Sequence, residues 1–548
     1  MTTEAQSTEQ QRRKLGELAT AEQRLAADPT LSVWVNASAG TGKTKVLSDR
    51  VLRLLLAGVN PGRLLCLTYT KAAAVEMSAR VSKKLSGWAV ASEQELENEL
   101  DKLYGTLPQD QKQAEELKAR ARKLFAVLLD TPGGIKIQTI HSFCQEILKR
   151  FPLEAGVSPY FEIMDDRAAA EAAEEIKNRL IAEIRGNPGS PAAEAMAFLT
   201  ENVSELKFPE IIGTIINERG KISRLFKRWS SAGELLAAQA ARLGVAPNAD
   251  ERELNRLFFD ALPREELKTL LAAWLKSGVR FARRAEKLAA ALQNSAPEDF
   301  TDYAGAFLGS DGEAYKTVAA KAVLENNPRL AEIFAEEAAR VREQTEKQKA
   351  LRVFLATKAV VVLAGELTKG YENYKQAHAL MDYNDMILLT RRLLDDREAA
   401  RWVLFKLDGG IDDILIDEAQ DTSPDQWAII RAVSEEFFAS EDGRRRTVFA
   451  VGDRKQSIYS FQGADPDKFD EMRRYFAQKT DRFKQVDLQV SFRSTPAVLD
   501  TVNRLFSDPK VSAGVASADE KPVHVPFRRG EGGEVELWEL VEPEEGEN

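Results

Sequence analysis

The stretch "NASAGTGKTKVL", residues 36–47, lies between an apolar run, "LSVWVN" (31–36), and a segment where Val46, Leu47, Val51, Leu54 and Leu55 recur at helical spacing. A strand, a tight turn and a helix N-terminus in that order form a cradle for phosphate, because backbone N–H groups and the helix dipole present fixed positive potential. The phosphate-loop pattern asks for Gly, four residues, then Gly-Lys-Ser/Thr. Here Ala37 stands first, followed by Ser38, Ala39, Gly40, Thr41, Gly42, Lys43 and Thr44. A methyl group at the first position fits as long as φ stays negative. Gly40 and Gly42 permit the turn, Lys43 reaches the β- and γ-phosphates, and the Thr44 hydroxyl binds magnesium. The competing reading is a helix-capping turn that happens to contain Gly-Lys-Thr.

Outward from this loop the chain alternates. "RLLCLTYT" (63–70), "IKIQTI" (135–140), "DDILID" (412–417), "RTVFAVGD" (446–453) and "VDLQVSF" (486–492) read as buried strands. Helical patterns separate them, which implies an α/β fold with a parallel sheet covered on both faces. From Pro152 to Ala377 the alternation stops. That interval is rich in Ala, Glu, Leu, Lys and Arg, so it is read as a large inserted helical domain. The expected division is 1–151 and 378–480 for the α/β domain, 152–377 for the insertion, and 481–548 for the start of a further domain. The basic clusters of the insertion, "RLFKRW" (224–229) and "RFARR" (280–284), are read as solvated helix faces, with a grip on duplex phosphates as the alternative.

Composition narrows the class. The 548 residues are 44% apolar and 30% charged, which suits a multidomain globular chain. No apolar run approaches the length of a membrane span, and the first residues lack a signal-peptide core. The cytoplasm is therefore the expected compartment, with no membrane partner. Cys66 and Cys144 lack metal-ligand spacing, and three histidines make a His-built metal site an unpromising reading. A net charge of −10 argues only weakly against nucleic acid, since binding depends on where cations lie.

The second chemical element is "ILIDEAQD" (414–421): an apolar strand delivering Asp417 and Glu418 at its C-terminal end. Asp417 is placed to hold magnesium and Glu418 to orient or deprotonate the attacking water. With the loop at 37–44, this reads as a nucleoside-triphosphate hydrolase that uses Mg2+.

Further segments then fall in order: "TAEQ" (20–23), "LTYTKAAAVEM" (67–77), "TIHSFC" (139–144), "DEAQDTSPDQ" (417–426), "VGDRKQSIYSFQGAD" (451–465) and "LQVSFRS" (488–494). Together with the loop, they resemble the motifs of superfamily 1 helicases of the UvrD/Rep type. The wording of "TYTKAAA", "IHSFC" and "DEAQDTSP", with the large insertion, resembles the AddA-type recombination helicase-nucleases of bacteria. The resemblance implies a P-loop NTPase (RecA-like) fold and an ATP-dependent 3′-to-5′ DNA helicase and translocase acting in recombinational repair of double-strand breaks. It implies single-stranded DNA and duplex DNA ends as substrates and, as partner, an AddB-like subunit.

The roles it implies are specific. Gln23 would hydrogen-bond adenine, Gln456 would sense the γ-phosphate, and Arg493 would be an arginine finger. Tyr69 and Thr70 would touch the DNA strand; Tyr459 and Phe461 would face its bases, Phe461 standing where the family usually has Trp. His141 would sit near the DNA or the coupling path, or serve as a satisfied core residue. Tyr69, Tyr459 and Phe461 also admit plain packing roles.

Fifty-five residues follow Arg493. They are too few for the second motor domain that the resemblance implies, and nothing in the sequence matches the clustered acidic metal ligands of the nuclease domain in which AddA-type proteins end. The expectation is an N-terminal motor portion that binds ATP and unwinds poorly alone. Two rivals remain: a nucleotide-gated DNA- or partner-binding module without motor activity, and a P-loop small-molecule kinase. Stimulation of ATP hydrolysis by single-stranded DNA separates the first. The aromatic "SIYSFQGAD" disfavours the second.

Overall fold

The computed structural model describes residues 3–204, 207–229, 231–396, 400, 402–403, 405–406, 410–439, 443–458, 463–513, 515 and 523–540. The chain divides into two compact units, Met1–Phe161 with Met381–Asn548, and Glu162–Leu380. The second unit begins ten residues after the expected 152, because Pro152–Ala155 is a short helix of the first.

The first unit is built on six strands: β1 (Ser32–Ala37), β2 (Leu64–Thr68), β3 (Lys136–Thr139), β4 (Asp413–Ile416), β5 (Thr447–Gly452) and β6 (Phe483–Leu488). Their order across the sheet is β3-β2-β4-β5-β1-β6. Every pairing is parallel, with Val35 opposite Val451, Cys66 opposite Leu415 and Leu415 opposite Phe449. The inner strands are continuous apolar runs because both faces are covered; all five residues of β2 and all six of β5 are buried.

The helix after β1, here α1 (Lys43–Leu56), places Val46, Leu47, Val51, Leu54 and Leu55 in the core with β1 and β5. From β1 the chain crosses to β2, on the far side of β5 and β4. That change of direction opens a crevice at the C-terminal ends of the strands, where ligands of such sheets bind.

The start of the last strand also differs from the sequence reading. The last strand of the sheet starts at Phe483 rather than Val486, and it pairs with β1 through Ser32–Phe483 to Ala37–Leu488. The segment expected to open a further domain at 481 thus begins as the edge of the first sheet. Its "FKQ" start is partly or fully exposed, as an edge strand allows, and so lacks the apolar density that marked the others.

The second unit is helical. Its 49-residue helix Arg329–Ala377 runs through two separate cores. One gathers Trp274, Phe307 and Phe334; the other gathers Ile176, Leu199, Ile215 and Leu363.

Candidate functional site

The turn after β1 is shaped by its two glycines. Gly40 has φ 76° and Gly42, the N-cap of α1, has φ 94°. A Cβ on Gly40 would stand 2.5 Å from Arg493 Cβ and 2.8 Å from Ser491 Oγ, so only glycine fits. Ala37 needs no such freedom: it is the last residue of β1, opposite Leu488. Among the described residues, positive φ outside glycine occurs only at Ala379 and Glu418.

The loop is clamped from three sides. The Thr41 hydroxyl donates to the Ser38 carbonyl at 2.9 Å. The Phe492 N–H donates to the Gly40 carbonyl at 2.9 Å and the Ser491 hydroxyl to that of Ala39 at 3.0 Å. Gln23, buried beneath, donates from Nε2 to the Thr41 carbonyl at 3.0 Å and accepts from Lys45 Nζ at 3.1 Å.

Facing the loop is the end of β4. Lys43 Nζ lies 2.9 Å from Glu418 Oε2, with side-chain exposures of 14% and 38%. Glu418 has φ 47° and ψ 46°, a left-handed conformation that costs a non-glycine residue about 1–2 kcal/mol. Local strain of this kind concentrates at functional sites. Asp417, one residue back, receives the Glu418 N–H at 3.0 Å on Oδ1, and its own N–H donates to the Leu67 carbonyl at 2.9 Å. Burial and the neighbouring Glu418 push the Asp417 carboxyl up to about 6, against the pull of Lys43.

Two residues without an assigned role complete the arrangement. Gln420, 1% exposed, donates to Glu418 Oε2 at 2.8 Å and to Asp421 Oδ2 at 3.0 Å. Its side-chain oxygen accepts the Asp453 N–H at 3.0 Å. Asp453 then accepts from Gln456 Nε2 at 2.6 Å. The structure therefore joins Lys43, Glu418 and Gln456 through Gln420 and Asp453. The motifs contain both residues, but nothing in their spacing reveals that a buried amide bridges two strand ends.

Arg493 is exposed, with its backbone against the phosphate loop. Thr44 occupies the first turn of α1. Tyr69 and Thr70 follow the end of β2, where the Thr70 hydroxyl accepts the Ala73 N–H at 3.1 Å and caps the helix Lys71–Val90. His141, in the first turn after β3, meets Tyr383 edge-on at 5.5 Å. Burial holds its imidazole below the ordinary value. Tyr459 and Phe461 lie outside the described residues. Within the "RFARR" cluster, Arg284 is no solvated cation: it donates to the carbonyls of Ala306 at 2.7 Å and Thr317 at 2.9 Å, and lies over the rings of Trp274 and Tyr315.

The oxygen donors here, the Thr44 hydroxyl and the Asp417 carboxylate, suit a hard cation such as Mg2+ that takes its other ligands from phosphate and water. No group of three or more His, Cys, Asp or Glu among the described residues could hold a metal by itself. No helix among them is long and apolar enough to cross a membrane.

A glycine turn is thus opposed by an acidic strand end at the C-terminal edge of the sheet. The chain belongs to the UvrD/REP helicase family: the model of that family's N-terminal domain matches residues 18–477. It is similar to the ATP-dependent helicase/nuclease subunit of Lactobacillus gasseri, 27% identical over 534 residues that cover 88% of this chain and 39% of that protein. The proteins of the same name from Desulforudis audaxviator and Geobacillus thermodenitrificans are 29% and 26% identical, covering 86% and 87% of this chain. The chain spans about two fifths of the length of these relatives, 38–39%.

Proposed function

We propose that the chain is the ATP-binding N-terminal motor portion of an ATP-dependent 3′-to-5′ DNA helicase and translocase that acts at broken DNA ends in recombinational repair. In this reading the first unit is a RecA-like P-loop domain and Glu162–Leu380 its inserted helical domain. The observation that carries it is the 2.9 Å pair between Lys43 and Glu418, which joins the phosphate loop to the acidic strand end across 375 positions of sequence. The names and lengths of the relatives support the helicase assignment, and the word "subunit" in those names supports a second, AddB-like chain.

The residues then have these tasks. Ala37 to Thr44 wrap the phosphates, and Lys43 moves from Glu418 to a phosphate oxygen. Thr44 and Asp417 would hold Mg2+, which supplies charge neutralisation at the transferring phosphoryl group. Glu418, released from Lys43, takes the proton of the attacking water. Gln456 donates to the γ-phosphate, and Arg493 adds positive charge as the reaction proceeds. Gln23, already beneath the loop, reads the adenine edge with its remaining amide N–H. Tyr69, Thr70, His141, Tyr459 and Phe461 form the DNA track, where stacking contributes about 1–3 kcal/mol per base without reading sequence.

The test is ATP hydrolysis with and without single-stranded DNA, on this chain and on a version extended through the rest of the motor. DNA should raise turnover, and the extended version alone should separate strands. Turnover indifferent to DNA in both proteins would sink the motor reading.

A further inference from the structure

Resting on the nucleotide-site reading above, we infer that Gln420 is a positioning residue that locks the water-orienting carboxylate of Glu418 and the phosphate-sensing amide of Gln456 into one rigid body.

The argument begins with what a buried primary amide can do. Gln carries two N–H donors on one nitrogen and an acceptor oxygen on the other side of a plane. At Gln420 both donors meet carboxylate oxygens, Glu418 Oε2 at 2.8 Å and Asp421 Oδ2 at 3.0 Å. The oxygen meets the Asp453 N–H at 3.0 Å. The partners fix which end is nitrogen: reversed, the amide oxygen would confront two carboxylates and the NH2 would face another N–H. Three bonds to three rigid partners also fix where the plane lies. Glutamate in its place would set three carboxylates together, and an apolar side chain would leave the Asp453 N–H without its acceptor.

A second observation points the same way. Gly452, the last residue of β5, does not have a positive φ. Yet a Cβ there would stand 2.5 Å from Gln420 Oε1 and 3.1 Å from the Gln420 backbone nitrogen. The side chain missing from Gly452 is the space in which the Gln420 amide sits. Beyond it the chain of bonds continues: Asp453 Oδ2 accepts from Gln456 Nε2 at 2.6 Å, while its Oδ1 accepts the Lys455 N–H at 3.1 Å. One N–H of Gln456 is thereby directed to Asp453, and the other N–H of the same nitrogen is the donor a phosphate oxygen would take. The ends of β4 and β5 are thus registered by side-chain chemistry as well as by the strand ladder. When Lys43 leaves Glu418 for a phosphate, Gln420 still holds that carboxylate in place.

Gln420→Met keeps length and burial but removes all three polar contacts. Measured on the full chain with saturating single-stranded DNA, it should lower kcat for ATP about 10- to 100-fold, as loss of an outer supporting contact does elsewhere. KM for ATP should stay within about threefold, and the unfolding midpoint should fall only by the few degrees that one unpaired buried N–H accounts for. Gly452→Ala, which intrudes on the same amide, should shift kcat in the same direction. A kcat for Gln420→Met within twofold of the parent overturns the inference. So does a loss that raises KM and lowers the unfolding midpoint in proportion, since that is plain destabilisation. Lys43→Ala separates the two levels. Hydrolysis that is absent in the parent or survives Lys43→Ala removes the nucleotide-site reading and this inference together. Hydrolysis lost in Lys43→Ala yet intact in Gln420→Met removes this inference alone.

Discussion

The two ends of the parallel sheet carry polar clusters of opposite construction. At the N-terminal ends of the strands, Arg50 is completely buried. It donates to the Asp28 carbonyl, to that of Leu31 at 2.6 Å and to Thr447 Oγ1 at 2.8 Å, and its guanidinium lies over Phe449. Thr447 in turn donates to Asp413, which is also fully buried. At the C-terminal ends, Lys43 and Glu418 face each other partly exposed, on a glycine turn and a left-handed residue. The first cluster is enclosed within the chain, with Arg50 and Asp413 both fully buried. The second is open to solvent, and in the proposed function a phosphate competes directly for its lysine. Both pair a cation with carboxylates on one sheet, through the Thr447 hydroxyl at the closed end and directly at the open one.

That contrast predicts opposite responses to loss of a cation. Arg50→Met strips Asp413 of its buried counter-charge and should destabilise the fold by about 3–5 kcal/mol. Lys43→Ala breaks a partly exposed pair and should change stability by less than about 1 kcal/mol, while lowering ATP turnover by about 10²–10³-fold. Chemical denaturation of both variants beside an ATPase assay checks this. A stable Arg50→Met protein, or a Lys43→Ala protein that unfolds readily, would erase the distinction between the two ends.

A pH series sharpens the same comparison from the closed side. Burial pushes the Asp413 carboxyl up to about 6, against the pull of the Thr447 hydroxyl and Arg50. An unfolded aspartate titrates near 3.9. The folded chain therefore takes up this proton first as pH falls, so the group adds stability below about 6 and withdraws it above. Between pH 7.5 and 5 the parent should gain stability relative to Asp413→Asn, on the order of 1 kcal/mol. A stability difference that stays flat, or that shifts in favour of Asp413→Asn as pH falls, would show that Asp413 is not held by burial.

What could be read in advance follows the same division. The inner strands announce themselves because parallel strands covered on both faces must be apolar throughout. Lys43, Asp417 and Glu418 stand out in the sequence because a site for phosphate and magnesium would demand fixed residue types after a strand. Gln420 and Asp453 sit within the motifs yet carried no role, since their meaning is a contact between strand ends that are 33 residues apart. Arg284 misled for the converse reason: a basic run looks solvated, and only packing reveals a guanidinium enclosed by Trp274, Tyr315 and Phe334. The start of β6 escaped because an edge strand relaxes the apolar requirement that identified its neighbours.

Thr70 sets the finest test, because it lies at the open end but carries a structural duty. Its hydroxyl accepts the Ala73 N–H at 3.1 Å, closing the first turn of the helix Lys71–Val90. Loss of an N-cap oxygen costs about 1 kcal/mol, so Thr70→Ala should lower stability by that amount and Thr70→Ser should restore it. The DNA role proposed for the same residue makes a separate demand. If its part in the track is to hold the helix start in place, Thr70→Ser will recover DNA stimulation of ATP hydrolysis along with stability. If the methyl group itself packs on a sugar or base, Thr70→Ser will recover stability alone. Recovery of neither would mean that the cap does not contribute, and that even this small element of the open end belongs to the ligand rather than to the fold.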